Sequence, residues 1–154
     1  MTVANVRSQD LRVSIAEDAV RLFRQAPADC QLVTLWQAYE TLGQAFGSVA
    51  PLALFSQAVQ QLVQQVQQMS PEEQIHVCRD ILGHADTRFA QAYQGLNPNM
   101  KLAFWHRLFS RGRKLPWETV VSRANQQADT YLLRSRLATM GLNERLHFLR
   151  QVVA

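Results

Sequence analysis

Glycine and proline are scarce in this sequence of 154 residues, with 6 glycines and 5 prolines. That scarcity removes most of the points at which helices break and hairpins turn. No segment alternates apolar and polar residues over a useful length, and no dipeptide makes a hairpin turn, so a sheet is not expected. Cysteine is limited to Cys30 and Cys78, far apart and without zinc spacing, which reads as reduced thiols of a cytoplasmic protein. No apolar run approaches the ~18 residues needed to cross a bilayer, and no charged-then-apolar signal opens the chain. The protein is therefore expected to be soluble, not membrane-spanning and not exported by a signal. A glycine-rich phosphate loop and a nucleophile elbow are missing too. What is present is a chain 47% apolar, with 16 Lys and Arg against 12 Asp and Glu, for a formal charge of +4. One domain spanning 1–154 is expected, large enough to bury a core, and an acidic partner suits its charge.

Residues 1–13 are polar and unpatterned and read as an N-terminal arm. Ser14 and Glu17 form a capping box for a first helix carrying Ile15, Ala19, Val20, Leu22 and Phe23, closed by a turn at Pro27. A second helix is expected from Ala28 to Phe46, with Leu32, Leu35, Trp36, Tyr39, Leu42 and Phe46 at helical spacing. After Gly47–Pro51 a third runs from Leu52 to Met69, with Phe55, Val59, Leu62, Val66 and Met69 inward and glutamines outward. Ser70-Pro71-Glu72-Glu73 combines a cap, a first-position proline and a third-position carboxylate, so a fourth helix starts sharply there and ends near Gly83. Asp86 is expected to cap a short fifth helix that ends at Gly95. Asn97 and Pro98 start a sixth, whose stripe is Leu102, Trp105 and Leu108/Phe109, with Lys101, Arg107 and Arg111 largely off it. Gly112 and Leu115-Pro116 close it, Trp117–Val121 is left unassigned, a seventh helix spans Gln126–Met140, and Asn143 caps a last one ending at Val153. The fold class is all-α.

Two Glu-x-x-His motifs, Glu73/His76 and Glu144/His147, have the pattern that di-metal four-helix bundles repeat. Each sits in the first turn of its helix, where a carboxylate also serves as a cap, so no metal ligand is assigned and a di-metal enzyme stands only as an alternative. His84, four residues after Asp80, reads as a surface pair. Arg107, Arg111, Arg113 and Lys114 lie beside Phe104, Trp105 and Phe109, a composition that nucleic acid would accept. With Trp105 on the buried stripe and basic charge suiting a helix end, a solvated flank is the preferred reading and no nucleic acid is expected. From the residues alone the chain is a helical domain rich in aromatics, and a helical interaction module is open.

The blocks Leu35-Trp36-Gln37-Ala38-Tyr39, Met69 and Pro71, Ala85-Asp86-Thr87, Tyr93, Pro98 through Leu108, and Leu149-Arg150 resemble the N-terminal domain of the orange carotenoid proteins of cyanobacteria. The match runs from about Ile15 to Val153, and a stand-alone copy of this kind is similar to the helical carotenoid proteins. The resemblance implies two four-helix bundles built from discontinuous segments, with a carotenoid tunnel between them. A carotenoid is about as long as a ~20-residue helix, near 30 Å, so a seam between bundles holds it where one small core would not. Burial of an almost wholly apolar ligand supplies affinity at ~25 cal/mol per Å², before ordering costs.

Carried over on matching positions, Trp36, Tyr39 and Trp105 would pack around one terminal ring, and Leu32, Leu35, Ile75, Cys78, Leu102 and Leu146 would line the polyene. Arg150 falls at the family's arginine that faces the second domain and helps dock on the phycobilisome, while Asn99 and Arg107 match other docking positions. The implied cofactor is a keto-carotenoid such as canthaxanthin or echinenone. The implied partners are the phycobilisome and a separate homologue of the second domain that delivers pigment. The implied function is photoprotection without enzymatic chemistry: singlet-oxygen quenching, with phycobilisome excitation quenching as a second activity. This chain departs from the family at His106, where tyrosine is usual, at Cys78-Arg79, in place of a Met-Cys pair, and at Leu22, in place of an arginine tied to docking.

Overall fold

The structure is a computed structural model that describes residues 15–42, 53, 55–110 and 117–154, with the side chains of residues 110 and 117–119 left aside. The described residues are helical, without a strand. In chain order α1 covers residues 15–25, α2 Ala28–Leu42, α3 Gln57–Gln67, α4 Pro71–Leu82, α5 Arg88–Gln94, α6 Pro98–Ser110, α7 Trp117–Asn125, α8 Ala128–Ala138 and α9 Leu142–Val152.

Helix starts with side-chain caps fall where the residues dictate. The Ser70 hydroxyl accepts the Glu73 N–H at 3.2 Å and donates to the Glu73 carboxylate at 3.1 Å, and Pro71 fills the first turn of α4. Asn97 accepts the Met100 N–H at 2.8 Å and so starts α6. Other boundaries differ from the sequence expectation. Thr87, not Asp86, caps α5 by accepting the Ala90 N–H at 3.3 Å. Ser56 caps α3 through the Val59 N–H, so the helix starts at Gln57 rather than Leu52, and Phe55 ahead of it is 73% exposed instead of inward. Trp117–Val121, unassigned from sequence, falls in the helix Trp117–Asn125, and α9 starts from Gly141 without a side-chain cap rather than from Asn143. At the end of α4 the left-handed residue is His84, with φ 53°, one position beyond Gly83. The Ala85 N–H reaches back to the Asp80 carbonyl at 2.9 Å, which completes a Schellman-type stop with histidine where glycine is usual. The Ser14 cap, the end of the second helix beyond Leu42, and the basic residues Arg111, Arg113 and Lys114 lie outside the described residues.

The helices form two groups. Contiguous α3, α4, α5 and α6 pack together: α3 against α4, α5 and α6, and α4 against α5. The second group is discontinuous: α2 packs with α7 and α8, and α7 with α8. Helix α1 joins it through an Asp18–Arg136 ion pair of 3.2 Å to α8 and a Phe23–Phe148 edge contact of 5.8 Å to α9. The groups meet where α2 packs on α4 and α6, and where α9, which also packs on α2, packs on α6. One apolar core runs through both, so the seam is interior and not a cleft.

Candidate functional site

The seam collects most of the residues that the resemblance assigns to the carotenoid site. Leu32, Leu35 and Tyr39 on α2, Ile75 and Cys78 on α4, Leu102 and Trp105 on α6, and Leu146 on α9 are all buried. Trp36 is half-buried and Arg150 is exposed, so the structure sets these two at the margin of the group. The seam is where the expected tunnel would run, and its buried residues belong to the one apolar core. A pocket of about 500 Å³ lies elsewhere, between α1 and α9, lined in part by Arg21, Arg24 and His147.

At one end of the seam the aromatics form a connected cluster. Phe109 lies 5.7 Å from Tyr39 and stacks on Trp105, also at 5.7 Å with 26° between planes, so it bridges α2 to the indole. Trp105 is wholly buried, with Phe104 edge-on at 5.2 Å and Tyr93 edge-on at 6.0 Å. Edge-to-face contacts suit the quadrupoles of the rings, and a buried phenol or indole needs a hydrogen-bond partner. Each has one. The Tyr39 hydroxyl donates to the Leu102 carbonyl at 2.9 Å, the Trp105 indole N–H donates to the Tyr93 hydroxyl at 2.9 Å, and that hydroxyl donates to the Val153 carbonyl at 2.5 Å.

Sequence reasoning paired Trp105 with Trp36 and Tyr39. It missed Phe109 as the bridge and Tyr93 as the polar anchor, although Phe109 stands one turn beyond Trp105 and was on the predicted stripe. His106 has its ring 6.3 Å from Tyr39.

The electrostatics of the cluster favour neutral groups. Burial holds the Tyr39 phenol well above the ordinary 10.0, with the nearby Tyr93 adding to the effect. Burial likewise raises Tyr93, partly opposed by its bond from Trp105. The Cys78 thiol is pushed up to about 12 by burial, so it packs as a small apolar group and not as a nucleophile. Burial, then the Arg107 charge, lowers His106 below its ordinary 6.5. A site whose titratable members are all biased to their uncharged forms accepts an apolar ligand and offers little for acid–base catalysis.

Arg79 has a structural role: its guanidinium holds the Asp29 carboxylate at 2.5 Å and ties α4 to α2. Among the docking candidates Asn99 is exposed and Arg107 half-buried on α6, while Arg150 is exposed on α9.

The metal motifs have other occupations. Glu73 is exposed and engaged in the α4 cap, exposed His76 lies 3.6 Å from Asp80, and Glu144 folds over Gly141 at the start of α9. His84 therefore does not pair with Asp80 as expected; its Nδ1 meets the Gln94 side-chain amide at 2.9 Å. Among the described residues no three His, Cys, Asp or Glu side chains gather as metal ligands would. No described helix is long and apolar enough to cross a membrane.

Comparison with known proteins places the chain among relatives. The family described as "Orange carotenoid protein, N-terminal" matches residues 9–154. A Nostoc sp. protein called orange carotenoid-binding domain-containing protein is 31% identical over 140 residues, covering 88% of this chain and 79% of that one. The orange carotenoid-binding protein of Limnospira maxima is 29% identical over 107 residues, and the match spans only 34% of its length. Among solved structures, the Anabaena (Nostoc) red carotenoid protein binding a mixture of carotenoids shares the fold at a TM-score of 0.63 and 19% identity, covering 90% of this chain and 94% of that one. The orange carotenoid protein of the same organism, binding canthaxanthin, gives a TM-score of 0.67 at 24% identity, over 90% of this chain and 44% of that one.

Proposed function

The chain belongs to the orange carotenoid protein N-terminal family, and on that premise we propose that it binds a keto-carotenoid along the seam and protects against light by quenching singlet oxygen. The observation that carries the reading is the buried, uncharged aromatic cluster of Tyr39, Phe109, Trp105 and Tyr93 at the junction of the two helix groups. Trp36, Tyr39 and Trp105 would take one terminal ring, and Leu32, Leu35, Ile75, Cys78, Leu102 and Leu146 the polyene. Arg150 would stand at the outer end.

A ligand near ~30 Å long enters a core of this kind only if α2 and α9 shift against α4 and α6. The polar ties that such a shift must accommodate include Tyr39 to Leu102, Asp29 to Arg79, and Tyr93 to Val153. The apolar body of the ligand then replaces side-chain contacts with its own, and quenching resides in the pigment's low-lying excited states rather than in any residue. The family is one of carotenoid-binding proteins, not of enzymes.

Mixing the pigment-free protein with canthaxanthin and separating free from bound by gel filtration tests the reading. Visible absorbance is expected to elute with the protein; pigment that never co-elutes with folded protein contradicts it. Docking on the phycobilisome through Asn99, Arg107 and Arg150 is a further part of the proposal, supported by the exposure of Asn99 and Arg150. Leu22, at a family arginine position, points to weak docking, so holoprotein is expected to lower phycobilisome fluorescence little.

A further inference from the structure

We propose that Tyr93 is the positioning residue of the ring site, fixing the Trp105 indole by tying it to the backbone at the end of α9. The proposal rests on the carotenoid reading and adds to it a residue outside the set expected to contact the pigment. Trp105 is 0% and Tyr93 2% exposed, so neither polar group has water as an alternative. The chemistry leaves one polarity for the chain of bonds. An indole nitrogen can only donate and a backbone carbonyl can only accept, so the hydroxyl between them must accept from Trp105 and donate to Val153.

Three helices thus converge on one oxygen. Trp105 lies on α6, Tyr93 on α5, and Val153 caps the C-terminus of α9. Turning the indole about its side-chain axis would strip its N–H of its acceptor inside an apolar core, which is disfavoured, and would break the 26° stack on Phe109. The orientation of the ring-site tryptophan is therefore set from outside the ring site. It is also coupled to the last turn of α9, because Arg150, the exposed residue at the seam's margin, stands three positions before the accepting carbonyl. A displacement of that turn reaches Trp105 through a single side chain.

Tyr93→Phe tests this, since it keeps the ring edge-on to Phe104 and Trp105 and removes only the hydroxyl. Two readouts apply: the ultraviolet resonance Raman band of the Trp105 indole N–H, assigned by difference against Trp105→Phe, and the visible band of bound canthaxanthin. The Raman band is expected to move to the position of an unbonded indole, and the pigment maximum to shift by several nanometres with canthaxanthin still bound. A folded Tyr93→Phe protein with both bands unchanged overturns the proposal. Should that variant fail to fold, indole hydrogen exchange in the wild-type protein decides: protection of Trp105 by about a hundredfold or more over free tryptophan is expected, and exchange at the free rate overturns it. Wild-type protein that takes up no canthaxanthin refutes the carotenoid reading instead, while the Raman and exchange results still judge the tie between Tyr93 and Trp105.

Discussion

The Tyr39 hydroxyl on α2 donates to the Leu102 carbonyl on α6 at 2.9 Å, a buried hydrogen bond that joins the two helix groups in their shared interior. Removing the hydroxyl while keeping the ring isolates that bond. Tyr39→Phe is expected to cost about 1 kcal/mol, which lowers the melting temperature by about 2–4 °C for a domain of this size. Thermal unfolding followed by circular dichroism measures it, and an unchanged midpoint would show that the bond contributes nothing across the seam.

Thr34, on the same helix, is buried at 1% exposure with a hydroxyl that has no hydrogen-bond partner among the described residues. A buried polar group without a partner destabilises, and valine keeps the branched shape. Thr34→Val is therefore expected to raise stability by about 1 kcal/mol in urea unfolding. A loss of stability would mean that the hydroxyl is bonded in the folded protein.

The pH dependence follows from opposite shifts. His106 has a lowered folded pKa, so below about pH 6.5 the unfolded chain takes up a proton that the folded one resists. Stability contributed by the neutral ring is present above the unfolded value and is lost as pH falls through that window, and His106→Gln should flatten this limb. On the alkaline side Cys78, Tyr39 and Tyr93 all have raised folded values. The unfolded chain then releases protons first, and stability declines as pH rises above about 9. Unfolding midpoints collected from pH 5 to 11 would show both limbs; an acid limb that His106→Gln leaves unaltered would contradict the first assignment.

Much of this architecture is legible in the sequence because it is local. Ser70 and Asn97 announce α4 and α6 because a cap needs only a side-chain oxygen three residues before a backbone N–H. The stripe of Leu102 and Trp105 follows from helical spacing alone. Where the decisive contact is made by backbone, no residue type announces it. Helix α9 starts from Gly141 without a side-chain cap, and α4 stops with a left-handed His84 where the sequence offers Gly83. The site divides in the same way. The spacing puts Tyr39 and Trp105 on the apolar faces of their helices, while their place at a ring site is implied only by the resemblance. The bond from Tyr93 to Val153 crosses 60 residues to a carbonyl, a group every residue possesses, and so leaves no trace in the sequence. The Phe109 bridge was within reach, since the residue lay on the predicted stripe, but which of two stripe aromatics contacts α2 is decided only by helix packing.

The central claim is that a keto-carotenoid occupies the seam against Trp105. The most direct measurement is the visible-to-280 nm absorbance ratio of protein purified from a host that makes keto-carotenoids, taken for the wild type, Trp105→Ala and Gln64→Ala. Gln64 is exposed on α3 and should not matter. The account predicts an orange or red wild-type protein, an indistinguishable Gln64→Ala, and a Trp105→Ala that has lost most of its pigment or shows a shifted band. Colourless wild-type protein from that host, or equal pigment and spectrum in all three, would contradict it.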